Sequence, residues 1–184
     1  MTRVLIPLAQ GCEELEAVTL IDLLRRAGIE VVTAGLEEGP VECSRGVVLV
    51  PDTTLDEVSN DDFDMIVLPG GLPGSDHLQA DPRVQALLKR MAQAGRYTAA
   101  ICAAPKALAS AGLLDGRQAT SYPGVLEALQ LPGTRLSEQP VVIDGKVITS
   151  RGPGTAMDFA LTLIEQLEGK EAREAVEAPL MRPG

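Results

Sequence analysis

Short, nearly continuous apolar runs alternate along the chain with longer stretches that are apolar on one side only. RVLIPLA (residues 3–9) is the first such run. A segment this short with no polar face predicts a strand buried on both sides in a parallel sheet. Across 13–27, Leu15, Ala17, Val18, Leu20, Leu23 and Leu24 recur at helical spacing, with Glu13, Glu14 and Glu16 in the first turn and Arg25 and Arg26 just before Gly28. Acids at the start, bases at the end and a glycine stop predict a helix there. IEVVTAG (29–35) then predicts a second strand. Together the three segments make a β-α-β unit long enough for a right-handed crossover.

VECSRGVVLVPD (41–52) has a central glycine with apolar residues on both sides and predicts a small antiparallel ribbon. FDMIVLPGG (63–71) and YTAAIC (97–102) predict further buried strands. Helices are expected at 82–95, with Pro82 in the first turn and Gly95 as the stop, at 104–114, and near Val125 to Leu129. PVVIDGKVITS (140–150) predicts a hairpin turning at Asp-Gly. Residues 154–169 place Ala156, Phe159, Ala160, Leu163, Ile164 and Leu167 on one helical stripe. Strands alternating with helices predict an α/β sandwich with a mostly parallel sheet, whose sites lie beyond the carboxyl ends of the strands.

With 184 residues the chain is expected to form one domain over 1–184. Four aromatic residues (two Tyr, two Phe) leave no stacking platform for bases, and a net charge of −10 repels phosphate backbones and anionic lipid. Neither nucleic acid nor membrane is therefore expected as a partner. The start of the chain is too short for a signal-peptide core, and no apolar run approaches about 18 residues, so a cytoplasmic protein is expected. Cys12, Cys43 and Cys102 are spaced as neither a disulfide framework nor a metal site, and His77 is the sole histidine. No metal is expected.

Three loops leave the carboxyl ends of predicted strands on one edge: 9–16, 69–75 and 102–105. They collect Glu13, Glu14 and Glu16, the amides of Gly70 and Gly71, and Cys102 with the amides of Ala103 and Ala104. Two readings of Cys102 stand side by side: an inert core thiol, or a nucleophile at a strand-to-helix turn. At a helix start, unpaired N–H groups should lower its pKa below the free value of about 8.5. The glutamates read either as solvated partners of the helix dipole or as an acid for the thiol. An ionised carboxylate would raise the thiol pKa, so a catalytic one must be buried and neutral. His77, beside Asp76 in a polar stretch, reads as part of an exposed loop, which disfavours a Cys-His-acid triad.

GCEELEAV with LLRRAGI, CSRGVVLVPD, VLPGG, AAICAAP, TSRGPGTAMDFAL and GKEAREAVEAPL stand in an order that resembles the ThiJ/PfpI superfamily, and within it the parkinsonism-associated deglycase group and its bacterial relatives. The resemblance implies a flavodoxin-like (Rossmann-like) three-layer sandwich, a homodimer and no cofactor. By motif, Cys102 matches the family's nucleophile and Glu16 its buried acid, while Gly70, Gly71 and Ala103 match its backbone donors. The family's interface implies Leu15, Arg26 and Arg45 as dimer contacts. Where the deglycase group has His-Pro, this chain has Tyr122-Pro123, so a phenol able to donate a hydrogen bond replaces an imidazole. Cys12 stands where a small residue is common, and Cys43 matches a peripheral thiol.

The implied activity is detoxification of 2-oxoaldehydes such as methylglyoxal and glyoxal, or of their adducts in glycated substrates, by Cys102 with Glu16 moving the proton. The rival readings are a peroxide sensor or chaperone acting through oxidation of Cys102, and a peptidase, the last weakened by the missing histidine.

Overall fold

The first strand shows how the layers arise. Along β1 (Arg3–Leu8), Val4, Ile6 and Leu8 enter one apolar core while Leu5 enters another, so a single strand feeds both faces of the sheet. In this computed structural model, which describes residues 1–184, the chain continues through α1 (Glu14–Arg26), β2 (Glu30–Gly35), β3 (Val41–Glu42), β4 (Val48–Leu49), β5 (Thr53–Thr54) and α2 (Leu55–Val58). Next come β6 (Met65–Leu68), α3 (Gly74–Ala80), α4 (Pro82–Gln93), β7 (Tyr97–Ile101), α5 (Pro105–Ser110) and β8 (Gln118–Ala119). The chain closes with β9 (Arg135–Leu136), β10 (Val141–Asp144), β11 (Val147–Ser150), α6 (Ala156–Glu168) and α7 (Lys170–Glu177).

The 7-stranded sheet has the order β10-β11-β7-β6-β1-β2-β5. Every pair is parallel except β10 with β11. α1 and α6 pack together over one face, whose core includes Leu20, Leu24, Phe159 and Leu163. α3, α4 and α5 form the other layer, around Leu78, Leu88 and Leu108. Burial of each such side chain contributes about 1.5–3 kcal/mol, which makes these two cores the main support of the sheet. The α/β sandwich with a mainly parallel sheet read from the sequence is the fold observed. No helix is long and apolar enough to cross a membrane.

Several predicted elements differ in extent. The helix expected over 104–114 stops at Ser110, and Gly112 follows at φ 77°. The helix expected near Val125–Leu129 is a single 3-10 turn, Glu127–Leu129, ended by Gln130 at φ 52°. Pro123-Gly124 and Pro132-Gly133 punctuate the segment on both sides, and the left-handed Gln130 ends the turn after Leu129. The ribbon after β2 is only β3 with β4, and Thr53–Thr54 adds to the sheet edge beside β2. The 140–150 hairpin forms as β10 and β11, and β11 also pairs with β7 in parallel, which local periodicity did not reveal.

Candidate active site

The sheet order reverses between β1 and β6, where crossovers leave to opposite sides, the place at which open α/β sheets put their sites. Glu16 follows β1, Gly70 and Gly71 follow β6, and Cys102 follows β7, so all three predicted loops meet at this edge.

Cys102 lies in the turn between β7 and α5 with φ 66°. This left-handed backbone costs a residue with a side chain on the order of 1 kcal/mol or more and persists only where the surroundings hold it. Here they do. The Cys102 N–H donates to the Ser150 carbonyl (3.0 Å), its own carbonyl accepts from Tyr122 N–H (2.8 Å), and Ala104 N–H closes the turn on Ile101 (3.0 Å). The backbone N–H groups of Gly71 and Ala103 lie near enough to the sulfur to favour its charged form.

Glu16 is fully buried although it lies in the first turn of α1, where a solvated acid was one expectation. Its Oε1 accepts from the Gly70 N–H at 3.0 Å. Its Oε2 is buried without a hydrogen-bond partner, a costly arrangement for a carboxylate that becomes useful when the group carries a proton to donate. Burial pushes the Glu16 carboxyl up to about 7, against the pull of the Cys102 thiol and the Gly70 N–H, with Glu13 adding repulsion. The thiol and the carboxyl thus interact, although no short bond closes between them. Gly70 is what allows them to be neighbours: a Cβ there would stand 2.5 Å from Cys102 Cβ and 2.6 Å from Glu16 Oε1.

One expectation about the thiol is overturned. A helix start was to lower its pKa, yet burial and then the Glu16 carboxylate push it up to about 12, outweighing the Gly71 and Ala103 N–H groups. The reason is structural. α5 spans six residues and begins at Pro105, which has no N–H to offer, and Glu16 sits beside the sulfur. Protonation of Glu16 removes the larger electrostatic obstacle, so thiol and carboxyl titrate as one unit.

Of the remaining sequence candidates, Tyr122 alone is tied directly to Cys102. Tyr122 is bonded to Cys102 through its main chain, while its half-exposed ring lies near Gly152. His77 is exposed, as expected, but on helix α3 rather than in a loop. It lines a cavity of about 350 Å³ with Leu8, Gln10 and Leu36, a cavity to which neither Cys102 nor Glu16 contributes. Leu15 and Arg26 are exposed on α1, where Arg26 pairs with Asp22. The exposed Arg45 donates its backbone N–H to Glu14 Oε2 at 3.1 Å. Ser150, whose carbonyl anchors Cys102, was missed. TSRGPGT marked the segment, but only the pairing of β11 with β7 gives it this role.

Residues 2–166 match the DJ-1/PfpI family. The chain belongs to this family. It is 47% identical over 184 residues to "Protein DJ-1 homolog B" of Arabidopsis thaliana, a match covering 98% of this chain and 42% of that protein. The chain therefore spans less than half the length of that DJ-1 relative. It is 39% identical over 177 residues to "Glutathione-independent glyoxalase DJR-1.2" of Caenorhabditis elegans, covering 96% of this chain and 94% of that one. The crystal structure of Drosophila melanogaster DJ-1beta superposes with a TM-score of 0.93 at 45% identity, covering 100% of this chain and 99% of the other. The DJ-1/PfpI fold is thus shared along the whole length.

Proposed function

We infer that this DJ-1/PfpI protein converts 2-oxoaldehydes such as methylglyoxal and glyoxal to 2-hydroxy acids, with Cys102 as nucleophile and Glu16 as proton carrier. The observation that carries this reading is the buried, unpartnered Oε2 of Glu16 beside a thiol held in a left-handed turn. A relative named as a glutathione-independent glyoxalase supports the substrate class.

The chemistry balances without an added oxidant. The sulfur of Cys102 attacks the aldehyde carbon, and the new oxygen anion takes up a proton to give a hemithioacetal. The N–H groups of Gly71 and Ala103 favour negative charge in this region. As a carboxylate, Glu16 removes the hydrogen from the former aldehyde carbon and returns it to the neighbouring carbon, so the substrate is oxidised at one carbon and reduced at the next. The resulting thioester is hydrolysed by water, releasing the 2-hydroxy acid and the thiol. A carboxyl titrating near 7 can give and take that proton at neutral pH.

The test is multiple-turnover lactate formation from methylglyoxal without glutathione, comparing the unmodified protein with Cys102→Ser. Turnover that falls more than about 10³-fold in the variant is the expected result. Equal rates, or no turnover by either protein, overturn the reading.

A further inference from the structure

The other two cysteines are not scattered. Cys12 and Cys43, 31 positions apart, place their sulfurs 3.7 Å from each other inside the core. Both are free thiols. The surrounding chain clamps them from several sides. Gly11 N–H donates to the Glu42 carbonyl and Ser44 N–H to the Cys12 carbonyl, each at 2.8 Å. Ser44 Oγ donates to Glu13 Oε2 at 3.1 Å, and Arg45 N–H to Glu14 Oε2 at the same distance. The buried Oε1 of Glu14 has no hydrogen-bond partner, and its carboxylate lies beside both thiols. A base is thus at hand for a proton leaving sulfur.

We propose that Cys12 and Cys43 form a second oxidation site, a dithiol that a peroxide converts to a disulfide within the chain. Cys43, the slightly more accessible of the two, attacks the peroxide O–O bond, forming a sulfenic acid and water. The Cys12 sulfur displaces a second water from it, and the S–S bond forms. Two thiols lose two electrons and two protons, and one peroxide becomes two waters. Contraction of the 3.7 Å contact to a bond of about 2 Å is a short movement between two segments already tied together.

This disulfide would act on the neighbouring catalytic loop. A Cβ at Gly71 would stand 2.4 Å from Glu13 N and 2.8 Å from the Cys12 carbonyl carbon, and Glu13 N–H donates to the Gly70 carbonyl at 2.8 Å. No slack separates the two loops. Drawing Cys12 toward Cys43 therefore displaces Gly71, whose N–H serves the Cys102 sulfur.

Peroxide treatment followed by non-reducing digestion and mass spectrometry tests the proposal, on the unmodified protein and on Cys102→Ser, where the other thiol chemistry is absent. The expected result in both is a peptide pair joining Cys12 to Cys43, two mass units lighter than the separate peptides and reversed by dithiothreitol. Closing this loop should also raise the melting temperature of oxidised Cys102→Ser by about 5 °C or more over its reduced form. Neither readout depends on aldehyde turnover. Full recovery of alkylatable Cys12 and Cys43 after denaturation of the peroxide-treated protein overturns the proposal, as does a disulfide that joins two chains.

Discussion

Cys102 and the Cys12–Cys43 pair belong to the same apolar cluster and are all buried, yet their surroundings differ in kind. The Cys12 and Cys43 thiols face each other and a carboxylate, and burial and charge push both upward. The Cys102 thiol also faces a carboxylate, but that group titrates near neutrality, and two backbone N–H groups near the sulfur favour its charged form. Burial alone therefore does not separate a core thiol from a nucleophile. What marks Cys102 is N–H groups from two loops, Gly71 and Ala103, beside the sulfur and a neighbouring acid that titrates near 7, whereas at Cys12 only its own N–H helps.

Changing that acid should have the greatest consequence. Glu16→Gln keeps a polar group in place but cannot exchange a proton, so turnover on methylglyoxal should fall about 10²- to 10⁴-fold, while iodoacetamide still modifies Cys102. Measuring both in parallel separates proton transfer from thiol access. An unchanged turnover would remove Glu16 from the reaction and leave Cys102 resembling the other thiols more closely.

A smaller effect is expected in stability. The folded Glu16 carboxyl titrates near 7, against 4.5 for an unperturbed glutamate. Between these values the native state keeps a proton that the unfolded chain has released, so the stability present below pH 4.5 is lost as pH rises through 7. The loss should be on the order of 1–3 kcal/mol. Urea unfolding at pH 5 and pH 8 should show this fall in the unmodified protein and a reduced fall in Glu16→Gln. Equal slopes would mean that the carboxyl is already ionised in the fold.

The smallest effect tests the comparison directly. With limiting iodoacetamide near neutral pH, Cys102 should be alkylated at least about tenfold faster than Cys12 or Cys43, because it is the most accessible of the three and protonation of Glu16 relieves the repulsion on its sulfur. Peptide mass spectrometry over time gives the three rates. A faster Cys43 would reverse the contrast between the two thiol environments.

Much of this site was legible in the chain. VLPGG and AAICAAP placed two glycines and a cysteine after buried strands, and the strand-end rule for parallel sheets put them on one edge. The burial of Glu16 was not legible from periodicity, because an acid in a first helical turn is ordinarily solvated and here is packed against Gly70 instead. Ser150 was hidden for another reason: it lies 48 residues beyond Cys102 and meets it only because β11 pairs with β7. Cys12 and Cys43 gave no spacing signal, since their contact depends on the ribbon folding back over the loop after β1.

Local pattern sufficed for the alternation of strands and helices, the parallel character of the sheet and the edge on which chemistry collects. Hydrophobic periodicity and glycine or proline punctuation are local properties, and a sheet buried on both faces leaves few other ways to arrange them. The tertiary structure alone decided the states of the ionisable groups. Whether Glu16 is neutral, whether Cys102 has donors and whether Cys12 finds Cys43 all depend on groups far apart in the chain. Desolvation and charge act through space over a few ångströms, and only the packed fold sets those distances.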